Sequence, residues 1–141
     1  MTAPDFHPLP FEALAHMERQ RQFVRTLLAR NFPGQTLVGG RADLPLLQKV
    51  VDGRILRPDQ TWELQSLGIA LGDALIGTTP GLAWCEVTDE FGTDPTLRYR
   101  QTTYQLNALT MISKRVEQGR PVDLVDLAEQ ISQTFAKLPE Q

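Results

Sequence analysis

Scarcity sets the first limits on this chain: one cysteine, two histidines and only 7% aromatic residues in 141 positions. With Cys85 alone no disulfide can close within the chain, the usage expected of a reduced, cytoplasmic compartment. Cys85 lies in an apolar run, where a buried, inert thiol is expected. His7 and His16 have no third ligand spaced nearby, so neither points to a metal, and no cofactor is implied. No serine occupies a nucleophile elbow, no Cys–His or His–Asp spacing is present, and Gly39–Gly40 lacks the spacing and lysine of a phosphate loop. The opening MTAPDFHPLPFEAL lacks the basic residues and apolar run of a secretory signal, so the protein is expected to remain in the cytoplasm. Charge of one sign is also missing. The net charge is −3; the first 60 residues hold eight Lys/Arg against six Asp/Glu and the rest six against eleven. The halves, about +2 and −5, can orient an encounter with a charged partner, but no concentrated basic patch suggests nucleic acid.

What is present is organised around one stretch, Pro58 to Gly77, the only long segment apolar around most of a helical circumference. Leu64, Gly68, Leu71 and Leu75 stack on one line, flanked by Leu67, Ala74, Gly72 and Ile76. Only Glu63, Ser66 and Asp73 form a polar strip. Pro58 fits the first helical position, with Asp59 at the positive end of the dipole, and Gly77 followed by Pro80 and Gly81 supplies a stop. Gly68 and Gly72 each cost roughly 1 kcal/mol against alanine inside a helix, which predicts an element packed close against the axis there. The same small face can instead serve a homodimer. Gln65, Asp73 and the shortness of the apolar run argue against a membrane span.

Other elements flank this helix. Residues 1–10 carry Pro4, Pro8 and Pro10 and read as a flexible or strap-like arm without regular structure; residues 11–141 read as a single α+β domain. A helix is expected from Phe11 to about Arg30, with Ala13, Met17, Phe23, Val24, Leu27 and Leu28 as its stripe. A shorter one, ADLPLLQKVVDG, is expected with Asp43 as its cap and Pro45 in its first turn. Leu82 to Asp89 and Leu97 to Arg100 alternate with period two and predict an antiparallel hairpin, with a third short strand within Thr102 to Leu106. Placing Val87 opposite Tyr99 sets Glu86 opposite Arg100 and Thr88 opposite Arg98, leaves Phe91 to Pro95 as the loop, and points Ala83, Cys85 and Val87 inward. Asn107 caps a helix ALTMISKRVEQ; Asp123 caps the last helix, with Val122 stapled against Leu127 and a stripe of Leu124, Leu127, Ala128, Ile131, Phe135 and Leu138. The expected fold is therefore α+β: about five helices around a central helix at 58–77, with a small antiparallel hairpin or sheet at 82–106.

Three blocks, ELQSLGIALGDALI, LAWCEVTDEFGTDPTLRYR and LNALTMISKRVEQG, together resemble a bacterial family catalogued as a domain of unknown function, number 3806. The resemblance runs from about Leu37 to Ile131. It is carried by Leu67, Gly68, Gly72 and Asp73, by the Trp84 strand, by the acidic turn Asp89, Glu90, Gly92 and Asp94, and by the run from Leu109 to Glu117. Phe91 stands where that family's pattern suggests tyrosine. The resemblance implies a shared fold and a bacterial origin, and no activity.

Two constellations carry the functional expectations. Trp84, Glu86, Arg98 and Arg100 would share the outward face of the hairpin, an aromatic among charges as in binding hot spots; the alternative is a Trp84 covered by the arm or a helix, with solvated charge pairs around it. Asp89, Glu90 and Asp94 form the densest group of potential cation ligands, without the spacing of a calcium loop; a hairpin turn with Gly92 at positive φ explains them as well. The expectation is a non-enzymatic protein-interaction module of inhibitor, immunity, adaptor or chaperone type, with a protein partner. The alternative is an enzyme or a small-ligand or cation binder near the acidic turn and Asp73.

Overall fold

Ten of the 18 residues of one helix, Thr61–Thr78, are buried, as its near-continuous apolar circumference requires. It is the third of five helices in the computed structural model, which describes residues 3–139. In chain order the elements are β1 (Asp5–His7), α1 (Phe11–Asn31), α2 (Asp43–Asp52), α3 (Thr61–Thr78), β2 (Leu82–Asp89), β3 (Gly92–Tyr99), β4 (Gln105–Leu106), a single 3-10 turn (Ala108–Thr110), α4 (Met111–Glu117) and α5 (Leu124–Ala136). The architecture is α+β, five helices with a four-stranded antiparallel sheet in the order β1-β2-β3-β4. None of the helices among the described residues is long and apolar enough to cross a membrane.

One apolar cluster joins Val24 and Leu28 of α1, Leu44, Leu47 and Val50 of α2, Leu64 to Leu75 of α3, Leu82, Leu97 and Tyr99 of the sheet, Ile112 of α4 and Leu124 to Phe135 of α5. Gly68 and Gly72 of α3 are both contact points. A Cβ at Gly68 would run into the carbonyl oxygens of Ala108 and Leu109, and a Cβ at Gly72 would overlap the indole of Trp84. The small face is thus filled from within the chain, by the 3-10 turn and by Trp84, which leaves no room there for a second copy.

Local details depart from expectation for identifiable reasons. α3 begins at Thr61, because Arg57–Gln60 closes a turn in which the Gln60 side chain accepts the Arg57 N–H at 2.8 Å; Pro58 and Asp59 lie in that turn. Ser66 belongs to no exposed strip: it is buried and donates to the Trp62 carbonyl at 2.9 Å. Asp43 is not a cap but the first residue of α2, and its carboxylate reaches backward to the N–H groups of Val38 and Gly39, each at 2.8 Å. Asn107 makes no side-chain cap, and the segment it was expected to start opens as the 3-10 turn before α4. Asp123 does cap α5, accepting the Asp126 N–H at 3.0 Å. The arm is not irregular throughout: between Pro4 and Pro8, Asp5–His7 adds a strand to the free edge of β2.

The largest difference is the hairpin register. Leu82 faces Tyr99, Trp84 faces Leu97, Glu86 faces Pro95 and Val87 faces Asp94, five positions from the expected pairing. An odd shift exchanges the two faces. The strands are joined by Glu90 and Phe91 alone, with the Asp89 carboxylate accepting the Phe91 N–H at 2.8 Å and Gly92 taking φ 126°. The larger side chains, Leu82, Trp84, Leu97 and Tyr99, turn toward the helices, while Ala83 and Cys85 turn away; an indole alone carries more apolar area than the pair it displaces. Cys85 is accordingly half-buried on the outer face and not in the core.

Candidate functional site

Trp84 can pack against α3 only because Gly72 offers no side chain, and this contact brings the indole N–H to Asp73, the next residue along the helix. The N–H donates to Asp73 Oδ1 at 2.9 Å. From the other side Arg21 of α1 grips the same carboxylate with two bonds, Nε to Oδ2 at 2.8 Å and Nη2 to Oδ1 at 3.0 Å. Three elements, α1, α3 and β2, are thereby tied at one carboxylate. The planar fork of arginine matches the two oxygens of a carboxylate, and the hydrogen bond to Asp73 raises the Arg21 pKa further above its already high ordinary value.

Arg21 also opens onto a polar cleft of about 440 Å³ whose lining includes Glu18, Arg25, Leu37 to Gly39, Asp43 and Asp73. Glu18 bridges Arg25 at 3.0 Å and Arg21 at 3.4 Å; the hydrogen bond from Arg25 holds its carboxyl below the usual carboxylate range. Asp43, only 2% exposed, contributes a carboxylate already committed to two backbone N–H groups. Every acid in this cleft thus faces a donor within the protein, an arrangement suited to holding elements together rather than to taking or giving a proton.

The four residues expected to make one outward surface are separated. Trp84 and Glu86 point to the helical side; Glu86, 14% exposed, faces His7 at 2.6 Å and not Arg100. Arg98 lies on the outer face, where its guanidinium stacks 4.4 Å from the centre of the Phe6 ring and Nε donates to the Thr102 carbonyl at 2.7 Å. Arg100 follows the end of β3 at φ 50°, 5.2 Å from the centre of the Tyr99 ring. Burial pushes the Cys85 thiol up in pKa, against the opposing pull of nearby Arg98.

The acidic turn does not gather its carboxylates. Asp89 is used by the turn itself, Glu90 and Asp94 are exposed, and among the described residues no three His, Cys, Asp or Glu side chains come together. What the turn displays is Phe91, 87% exposed at its tip. Neither Phe91 nor Arg21 is among the functional residues expected from the sequence. A signal for Arg21 existed: Asp73 on so apolar a helix needs a cationic or N–H partner, and a covered indole needs an acceptor.

Comparison with known proteins places this geometry in a wider setting. A family model described as "Domain of unknown function (DUF3806)" matches residues 43–127, from the start of α2 into α5, and so includes Asp73 and Trp84 but not Arg21. A crystal structure of a protein from Bacteroides thetaiotaomicron is similar in fold, with a TM-score of 0.81 at 17% identity over 92% of this chain. The aligned part is 47% of that protein, so the present chain spans about half its length. A search of curated proteins finds no match.

Proposed function

The chain belongs to the DUF3806 family, and we propose that it is a bacterial, cytoplasmic, non-enzymatic interaction module that docks a protein partner on the tip of the β2–β3 hairpin. The observation that carries this reading is Phe91. A phenylalanine exposed over 87% of its surface, on a two-residue turn pinned by the Asp89 carboxylate, is an apolar anchor held out from the body with little freedom to fold back. Binding hot spots have this form, an aromatic side chain that fills a pocket on the partner. Asp89, Glu90 and Asp94 lie within three positions of it along the chain, in the half with the negative excess, so the pocket that receives Phe91 is expected to carry a basic rim. Inhibitor, immunity, adaptor and chaperone roles all accord with this form of docking. The docking point is therefore the turn and not the set Trp84, Glu86, Arg98 and Arg100, whose side chains are dispersed over the two faces of the sheet.

The test is a photoreactive phenylalanine analogue placed at position 91 and, separately, at exposed Gln133 of α5, with irradiation in cells of the source organism. Position 91 is expected to give one discrete adduct, and position 133 none of that mass. The adduct should fade when Asp89, Glu90 and Asp94 are replaced by their amides. Identical adduct patterns from both positions, or none from position 91, would remove the hairpin tip as the docking point.

A further inference from the structure

A second cleft, of about 540 Å³, opens where α2 ends, α3 begins and the α4–α5 connection crosses between them. Its floor is the edge of the core, Val50, Leu56, Leu64 and Leu67, and Val116 and Val122 form a wall. The wall is held in place: Gln48 of α2 donates to the Val122 carbonyl and accepts the Leu124 N–H, both at 2.8 Å, so the crossing segment is clamped to the helix beside it. Its volume falls within the roughly 300–1,000 Å³ of small-molecule sites.

The rim is cationic. Arg54, Arg57 and Arg120 line the opening with a single acid, Asp52, which accepts from Gln48 at 2.9 Å. This local excess of positive charge runs against a chain of net charge −3. Arg57 is engaged with Asp59 at 3.1 Å and Arg120 with Gln118 at 3.2 Å, both on exposed side chains, whereas the Arg54 side chain has no hydrogen bond or ion pair among the described residues.

The backbone adds a second sign. α2 and α4 both end in the same left-handed closure: Ile55 N–H bonds back to Val50 and Arg120 N–H to Arg115. In α4 the left-handed residue is Gly119, at φ 66°, the residue that position favours; in α2 it is Arg54, at φ 50°. A side chain at this φ is strained relative to glycine, and it sets the free guanidinium at the mouth of the cleft.

We infer that this cleft binds a small amphipathic anion, with an apolar chain on Val50, Leu56, Leu64 and Leu67 and a carboxylate or phosphate head at Arg54 and Arg120. Apolar floor and arginine rim each select one half of such a molecule, and neither half alone satisfies the site. This site is separate from the hairpin tip and stands or falls independently of it.

The experiment titrates the purified full chain with decanoate, decyl phosphate and decyltrimethylammonium, each below its micelle concentration, by calorimetry and by amide NMR shifts. The anions are expected to bind one to one and to shift Leu56, Gly119 and Val122. The cation of equal tail length should bind at least tenfold more weakly. Arg54→Gly is the informative variant, because it removes the guanidinium while relieving the backbone: the Tm should stay at or above that of the parent while the anion Kd rises at least tenfold. Equal binding of the cation would make the cleft a plain apolar surface and overturn the inference. So would unaltered affinity in Arg54→Gly, or no binding of either anion. A short apolar peptide with a free C-terminal carboxylate that outcompetes decanoate would reassign the site to protein C-termini and equally overturn it.

Discussion

At the scale of single residues, one carboxylate carries the connection between three elements. Asp73→Ala removes the acceptor of both the Arg21 fork and the Trp84 indole, leaving three N–H donors at a partly buried site. A loss of about 2–3 kcal/mol is expected in urea unfolding. Arg21→Ala removes one partner of a pair whose side chains retain 20% and 28% exposure, and should cost about 1 kcal/mol. Equal losses for the two would show that Trp84 gains nothing from Asp73. Gly72→Leu places a side chain inside the indole and should cost more than about 2 kcal/mol despite the better helix propensity of leucine. Adding Trp84→Ala should then relieve part of that loss, so that the double variant is less destabilised than the two single effects added together. Cys85 supplies a pH test. Its folded pKa is raised by burial, so the stability it contributes is fully present below the ordinary thiol value and is lost as pH rises through the folded one. Unfolding from neutral to alkaline pH should show that decline, and Cys85→Ala should lack this component; a native thiol that reacts with a disulfide reagent as fast as a free thiol would contradict the burial.

At the scale of elements, the helices were readable where apolar periodicity is sustained. α1, α3 and α5 follow stripes long enough to locate within a few residues, and the close approach at Gly68 and Gly72 follows from the cost of glycine in a helix. The hairpin was legible as a hairpin and illegible in register. Period-two alternation assigns two faces but does not say which is inside; counting apolar residues favours Ala83, Cys85 and Val87, whereas area favours Leu82 and Trp84, and area prevails. The turn length then follows from Asp89 closing on Phe91, a bond between side chain and backbone with no periodic signature. The two aspartates near helix starts illustrate the same limit. Asp123 caps its own helix at an exposed position, and Asp123→Ala should cost about 1 kcal/mol. Asp43 looks identical in sequence but is buried and satisfies two N–H groups of the preceding loop. Asp43→Ala should cost clearly more, about 2–3 kcal/mol, because two backbone N–H groups lose their acceptor together and the buried place of the carboxylate is left unfilled. Chemical denaturation of the two variants side by side checks the order; a reversed order would mean that the loop at Val38–Gly39 contributes little to the folded state.

At the scale of the whole molecule, the contacts that decide the candidate sites join residues far apart in sequence, 52 positions for Arg21 and Asp73 and 79 for His7 and Glu86, and no local pattern encodes such pairs. The N-terminal segment shows what this means for assembly. β1 covers the outer edge of β2, Phe6 faces Val87 across the ladder and stacks under Arg98, and His7 meets Glu86. Without β1 the row of backbone donors and acceptors along β2 would be open, and Val87, now 6% exposed, would lose its cover. An unpaired edge beside an apolar residue is a template for pairing with another copy. Deletion of residues 3–8 should therefore produce a concentration-dependent rise in mass in solution, measured by light scattering, along with a lower Tm. Glu86→Lys introduced into the deleted chain should restore the lower mass, since edge lysines oppose strand-to-strand association. A deletion variant that keeps the mass and Tm of the parent would reduce β1 from a protective strand to a passive tail.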